Sequence, residues 1–186
     1  MLLQDKVVIV HGGGGAVGGA CARAFAQEGA RVFLTGRTAA PLRRVAEEIR
    51  DAGGRASFDI LDVLDTAATR RHADGIATQA GGIDVSLNAV GIFHVQGTPF
   101  LDLPLDDYLH PVDAYTRANF STAQAAARHM MRKGGGVLLT LSTPGARLSG
   151  AGFLGNGVAS AAVEAFSRLL AGGLGGYGIR VVCLRP

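Results

Sequence analysis

The sequence predicts an α/β fold: a doubly wound parallel sheet of about six strands with helices on both faces. Three observations predict it. Short β-branched apolar runs alternate with longer stretches of helical spacing along the whole chain. The short runs are nearly all apolar, as expected of strands buried on both faces. Gly and Pro separate the runs from the helical stretches. Strict alternation requires parallel strands joined by right-handed crossovers.

The elements follow in order. Lys6 to Val10 is the first strand. Val17, Cys21, Ala24 and Phe25 then repeat at helical spacing, and Gly29 stops that helix. Arg31 to Thr35 is the second strand. Pro41 opens a helix to about Ala52, because its missing N–H costs nothing in a first turn. Ala56 to Ile60 is the third strand. Asp65 caps a helix to about Gln79, ended by Gly81-Gly82. Ile83 to Leu87 is the fourth strand. Phe93 to Asp107, with Pro99 and Pro104, reads as irregular. A long helix runs from about Val112 to Arg132, with Ala118, Ala123, Ala126, Ala127 and Met130 on its packing side. Val137 to Leu141 is the fifth strand, and Gly145 to Gly157 a loop. Val158 to Leu170 is a helix, and Ile179 to Leu184 the sixth strand.

Composition narrows the function classes. The 186 residues argue for one domain spanning 1–186. With 48% hydrophobic and 18% charged residues, the chain can build a core and is not intrinsically disordered. The net charge of +3 is spread along the chain, so no nucleic-acid partner is expected. No apolar run reaches membrane-spanning length, so no membrane partner is expected. The N-terminus lacks the pattern of a signal peptide. Cys21 and Cys183 lie far apart in apolar runs, and they read as buried free thiols in a reducing cytoplasm. No His/Cys cluster has metal-ligand spacing.

The chemistry-bearing segment is Val10-His11-Gly12-Gly13-Gly14-Gly15-Ala16-Val17-Gly18-Gly19, between the first strand and the first helix. A strand-to-helix turn aims free helix N–H groups and the positive dipole end at a phosphate. Glycines let the backbone approach a pyrophosphate and let helix and strand pack closely. In this context the loop predicts dinucleotide binding and a Rossmann-like sheet. The second strand ends in Thr35-Gly36-Arg37, without the acid that meets a free ribose 2′-hydroxyl. Arg37 can grip a 2′-phosphate, which favours NADP(H) over NAD(H).

These residues resemble the short-chain dehydrogenase/reductase family, and the resemblance runs over essentially the whole chain. His11-Gly12 through Gly18 is similar to the family's Thr-Gly-x-x-x-Gly-x-Gly loop, with His11 for Thr and Ala16 for the middle glycine. The resemblance implies cofactor contacts at Gly12, Gly14, Gly15, Ala16, Val17 and Gly18. Asp62-Val63 resembles the family's adenine-contacting pair. Asn88-Ala89-Val90-Gly91 resembles the Asn-Asn-Ala-Gly motif on the adenosine side. Asn119 matches the helix Asn that holds a proton-relay water.

The family's catalytic Ser and Tyr-x-x-x-Lys come next. The run Ala161-Ala162-Val163-Glu164-Ala165 sets a register that puts Asn156 at the Tyr position and Ser160 at the Lys position. Thr143 then falls at the Ser position, at the family's usual interval. An amide at 156 does not titrate near neutral pH, and Ser160 carries no charge. Loss of general acid–base help implies chemistry slower by about 10²–10⁴-fold. Tyr108 and Tyr115 precede or enter the long helix and are open as replacements for the missing acid, although no motif supports them, and Tyr177 lies in a surface turn. His94 and His110 fall in the irregular stretch, and His72 and His129 read as helix-surface residues.

The resemblance thus implies an NADP(H)-binding oxidoreductase for hydride transfer between carbonyl and alcohol, with a small-molecule substrate and weakened chemistry. The alternative is a non-catalytic nucleotide-binding or structural partner protein. The chain reaches Arg185-Pro186, where the family places a Pro-Gly turn at the nicotinamide, so the expected domain lacks the C-terminal substrate lid. A homo-oligomer through helices 112–132 and 158–170 is expected, as is common in the family.

Overall fold

A computed structural model describes residues 1–186. The strands are β1 (Val7–His11), β2 (Arg31–Gly36), β3 (Arg55–Ile60), β4 (Val85–Asn88), β5 (Gly136–Leu141) and β6 (Ile179–Leu184). The helices are α1 (Ala16–Gln27), α2 (Ala39–Asp51), α3 (Thr66–Ala80), α4 (Leu105–Lys133) and α5 (Leu154–Leu174). The six strands are all parallel, in the order β3-β2-β1-β4-β5-β6. This is a Rossmann-like doubly wound sheet. The chain starts at its centre, winds out to β3, then crosses back to β4. The winding therefore reverses between β1 and β4, which opens a crevice at the carboxyl ends of these strands.

Alternation along the strands builds two cores, because successive side chains point to opposite faces. Val7 and Ile9 join Ala73 and Ile76 of α3 and Ala126 and Met130 of α4 on one face. Phe166 and Leu170 of α5 pack against the same cluster. Val8 and Val10 join Ala22 of α1 and Leu42, Val45 and Ile49 of α2 on the other. The alanines expected on the packing side of α4 are buried, Ala118 and Met130 completely. Asp65 caps α3: its carboxylate accepts the Ala68 N–H at 2.8 Å.

Several boundaries differ from the sequence reading. α4 begins at Leu105 rather than Val112, so the irregular stretch is shorter and His110 is helical. Asp106 and Asp107 favour a helix start there through the dipole. Pro111 sits inside the helix, where proline normally costs about 3 kcal/mol. It is retained because it is buried against Gly155 of α5; a Cβ on Gly155 would lie 2.9 Å from the Pro111 ring. α5 likewise begins at Leu154 rather than Val158, which puts Asn156 in its first turn. α2 begins at Ala39, two residues before Pro41.

Burial also departs from expectation at the sheet edges. β3 and β6 are edge strands, and Ile60, Val182 and Leu184 are exposed rather than covered on both faces. Cys21 and Cys183 are only partly buried. His72 and His129 are largely buried in side-chain hydrogen bonds rather than lying free on helix surfaces. His72 pairs with Asp59 at 3.2 Å and His129 with Asp74 at 2.7 Å. No helix is long and apolar enough to cross a membrane.

His11 closes β1 in the centre of the sheet. It is buried, and its Nδ1 shares a 2.9 Å hydrogen bond with Thr35 Oγ1 on β2. Burial, with a smaller push from His72, lowers its pKa from 6.5 to about 3. The unfolded chain therefore takes the proton first as pH falls. Stability from neutral His11 is complete above about pH 6.5 and lost toward pH 3, at about 1.4 kcal/mol per pH unit. Between pH 7 and pH 5 the wild type should lose about 2 kcal/mol more than His11→Asn. Urea denaturation at the two pH values checks this. Equal losses would show that His11 does not control acid stability.

Candidate functional site

The crevice is built by a glycine turn pressed against its neighbours. Gly12 has φ +77°, a left-handed conformation that a side chain rarely adopts. A Cβ there would lie 2.5 Å from the Ala89 carbonyl oxygen, so the turn touches the chain leaving β4. The Gly12 and Gly13 N–H groups donate to the Thr35 carbonyl at 2.8 and 3.1 Å. A Cβ on Gly18 would collide with the Gly12 carbonyl, so α1 rests directly on the turn. No side chain caps α1 at Gly15, and Gly15, Ala16 and Val17 are exposed. The first-turn N–H groups of α1 are therefore available to an anion.

A cavity of about 320 Å³ lies beside this turn. Of the predicted cofactor residues, Gly12, Gly14, Gly15, Arg37, Asp62, Val63, Ala89 and Gly91 line it. Arg37 is exposed and forms no ion pair. Asp62 accepts the Leu64 N–H at 3.0 Å and so fixes the turn after β3. Gly36, beside Arg37 at the end of the second strand, also lines the cavity, as do Thr38 and Ile92, which no sequence motif marked. Gly18 and Ala16 do not line it; Gly18 acts instead through packing.

A second cavity of about 220 Å³ shares Ala89, Val90 and Gly91 with the first. Val17 and Asn88 face this second space. Asn88 is buried, and its Oδ1 accepts the Val90 N–H at 3.1 Å. Thr143, Ser160 and Asn119 line the same cavity. Thr143 follows β5 and Ser160 lies on α5, and their hydroxyls share a 3.0 Å hydrogen bond. Asn119 donates through Nδ2 to the Tyr115 carbonyl at 2.8 Å, while its Oδ1 is buried without a partner. Tyr115 also lines this cavity, although the sequence gave it no motif. Asn156 does not line it. Of the four predicted catalytic positions, the structure brings together three.

The cavity's own side chains carry no charge; charge lies just outside. The Ser142 hydroxyl donates to Glu164 Oε1 at 3.0 Å, and Arg185 Nε donates to the same oxygen at 2.8 Å. Arg147 donates to the other carboxylate oxygen at 3.3 Å. Partial desolvation raises the Glu164 carboxyl pKa, but these three partners outweigh it and hold the group below the usual range. The ion pairs tie α5 to the chain after β5 and after β6. No three His, Cys, Asp or Glu side chains are grouped to hold a metal.

Known proteins match this arrangement. A family model described as enoyl-(acyl carrier protein) reductase matches residues 14–186. An uncharacterised oxidoreductase of Mycobacterium tuberculosis is 35% identical over 173 residues, covering 91% of this chain. This chain spans 64% of that relative's length. An L-rhamnose 1-dehydrogenase (NAD(P)+) of Azotobacter vinelandii is 35% identical over 195 residues, covering 100% of this chain and 74% of its own. A short-chain dehydrogenase/reductase structure from Mycobacterium ulcerans superposes with TM-score 0.94 at 26% identity, covering 100% of this chain and 68% of that one. With its six-stranded parallel sheet, glycine turn and switch-point crevice, the chain belongs to the short-chain dehydrogenase/reductase family of oxidoreductases.

Proposed function

We propose that the chain binds NADP(H) in preference to NAD(H) and serves hydride transfer between a carbonyl and an alcohol without the family's Tyr–Lys pair. The observation that carries the reading is the unpaired Arg37 on the rim of the larger cavity, beside Gly12 and Thr38. The end of β2 offers no carboxylate to repel a 2′-phosphate. Arg37 and Thr38 would hold that phosphate, and the first-turn N–H groups of α1 the pyrophosphate. Asp62 and Val63 would hold the adenine, and Asn88, Ala89 and Gly91 the adenosine side. Bound NADPH would supply the hydride. A neutral small-molecule substrate fits the second cavity, because no charged side chain lines it. The unpaired Cys21 and Cys183 support a reducing compartment such as the cytoplasm.

A second reading is a cofactor-binding protein without turnover. The neutral amide at Asn156 and hydroxyl at Ser160 favour it. The two readings share the cofactor and differ in chemistry. NADPH binding without consumption on any carbonyl would select the second.

The same proposal includes self-association through α4 and α5. Leu109 and Phe120 on α4 and Val158 and Leu169 on α5 are exposed apolar side chains. Clustered exposed apolar residues mark interaction surfaces. Phe120→Glu with Leu169→Glu should shift the protein to monomer in sedimentation velocity. An unchanged distribution would exclude this surface.

For the cofactor, calorimetric titration should find NADPH bound more tightly than NADH. Arg37→Ala should weaken NADPH about tenfold to a hundredfold, as expected for a charge-assisted bidentate contact. NADH affinity should not change. Equal affinities in the wild type would overturn the preference, and no binding of either would overturn the reading.

A further inference from the structure

Tyr115 lies on α4, one turn before Asn119, and lines the second cavity with Thr143 and Ser160. Its phenol oxygen accepts the Ile92 N–H at 3.3 Å. That bond occupies a lone pair and leaves the phenol proton free to donate. No other side chain lining the cavity is titratable. A group that gives and takes a proton must be titratable and must reach the reacting oxygen. Among the cavity's side chains, Tyr115 alone meets the first condition.

Asn119 is an independent sign that the cavity takes a polar ligand. It is 3% exposed, and its Oδ1 has no partner. A buried acceptor left bare costs about 1–3 kcal/mol, a cost that a ligand hydroxyl or a water removes. The paired hydroxyls of Thr143 and Ser160 share one hydrogen bond, so one of their two protons is free for a ligand oxygen. Phenol, hydroxyl pair and amide oxygen together suit a neutral oxygen function that alternates between acceptor and donor. A carbonyl and its alcohol are such a pair.

We propose that Tyr115 is the proton donor and acceptor of this pocket, in the role that the family's motif would give to position 156. The proposal rests on the NADP(H) reading above. In reduction, the carbonyl carbon gains hydride with its electron pair from the reduced nicotinamide, and the C=O π pair moves to oxygen. That oxygen takes the Tyr115 proton as the phenol O–H bond breaks. The phenolate then takes a proton from water. Oxidation of the alcohol runs the same steps in reverse.

The test follows tyrosinate absorbance through an alkaline titration, with and without saturating NADP+. One of the three tyrosines should titrate differently when NADP+ is bound. Tyr115→Phe should abolish that difference while binding NADP+ as the wild type does. With diacetyl as the carbonyl probe, kcat for NADPH consumption should fall about 10²–10⁴-fold in Tyr115→Phe. Tyr177→Phe, at an exposed turn, should leave it unchanged. NADP+ binding without a tyrosinate response overturns the proposal and spares the cofactor reading. So does a wild type that binds NADPH yet consumes none, or a Tyr115→Phe rate equal to wild type. Failure to bind NADP+ overturns both.

Discussion

The close approach of the Gly12 turn to Ala89 is the constraint on which the rest of the site depends. β1 and β4 are neighbours in the sheet, yet the chain leaves them in opposite windings. Only a residue without a side chain, in a left-handed conformation, lets the turn after β1 lie against the chain after β4. Gly18 continues the contact by letting α1 sit on the turn. The helix start is thereby aimed across the carboxyl ends of the strands. Both cavities share Ala89, Val90 and Gly91, so one backbone segment forms the wall between them. Widening the Gly12 turn would disturb both at once.

The interior around this turn is kept neutral. His11 reaches a buried position at the centre of the sheet and is held uncharged there. Thr35, Asn88, Asn119, Thr140 and Ser160 are buried polar residues without charge. A charge placed among them would require a buried partner, since desolvating an ion costs several kcal/mol. The chain instead puts its charges at the margin. Asp84, at the opposite end of β4, accepts from Lys133 and the Val7 N–H at 2.7 and 2.8 Å. Burial works against its ionisation, but these bonds and Lys6 hold its carboxyl pKa down. Glu164 does the same on the α5 side with Arg147 and Arg185.

The parallel, doubly wound sheet and the glycine turn were legible because they depend on local pattern. Alternating apolar runs specify parallel strands, and a glycine string between strand and helix specifies a close approach. The departures lie where tertiary contacts override local preference. Pro99 and Pro104 make the stretch to Asp107 read as irregular, yet α4 starts at Leu105 and carries Pro111 packed on Gly155. Nothing local reveals that partner. β3 and β6 read as buried strands because Ile60, Val182 and Leu184 are apolar, but sequence does not say which strands end the sheet. His72 and His129 lack any motif, and their partners Asp59 and Asp74 are 13 and 55 residues away. Tyr115 was one of three tyrosines the sequence could not rank, for the same reason: its phenol meets Ile92 across 23 residues.

Asn156 and Tyr115 show how the side chains that reach a pocket can differ from the positions a motif marks. The register from Ala161 to Ala165 assigns Asn156 to the Tyr position, but Asn156 does not line the cavity, and its amide oxygen is buried without a partner. A side chain at that position contributes to chemistry only if the first turn of α5 presents it inward. Here the α5 start is packed under α4: a Cβ on Gly155 would lie 2.8 Å from the Tyr108 carbonyl. The α4 segment extended by the early helix start thus lies against the residue preceding Asn156. The same helix delivers Tyr115 to the cavity two turns later. A single packing choice, α4 advanced onto α5, links both features. Which side chain reaches the pocket is set by which helix packs beside it, not by the position in the chain at which a motif places it.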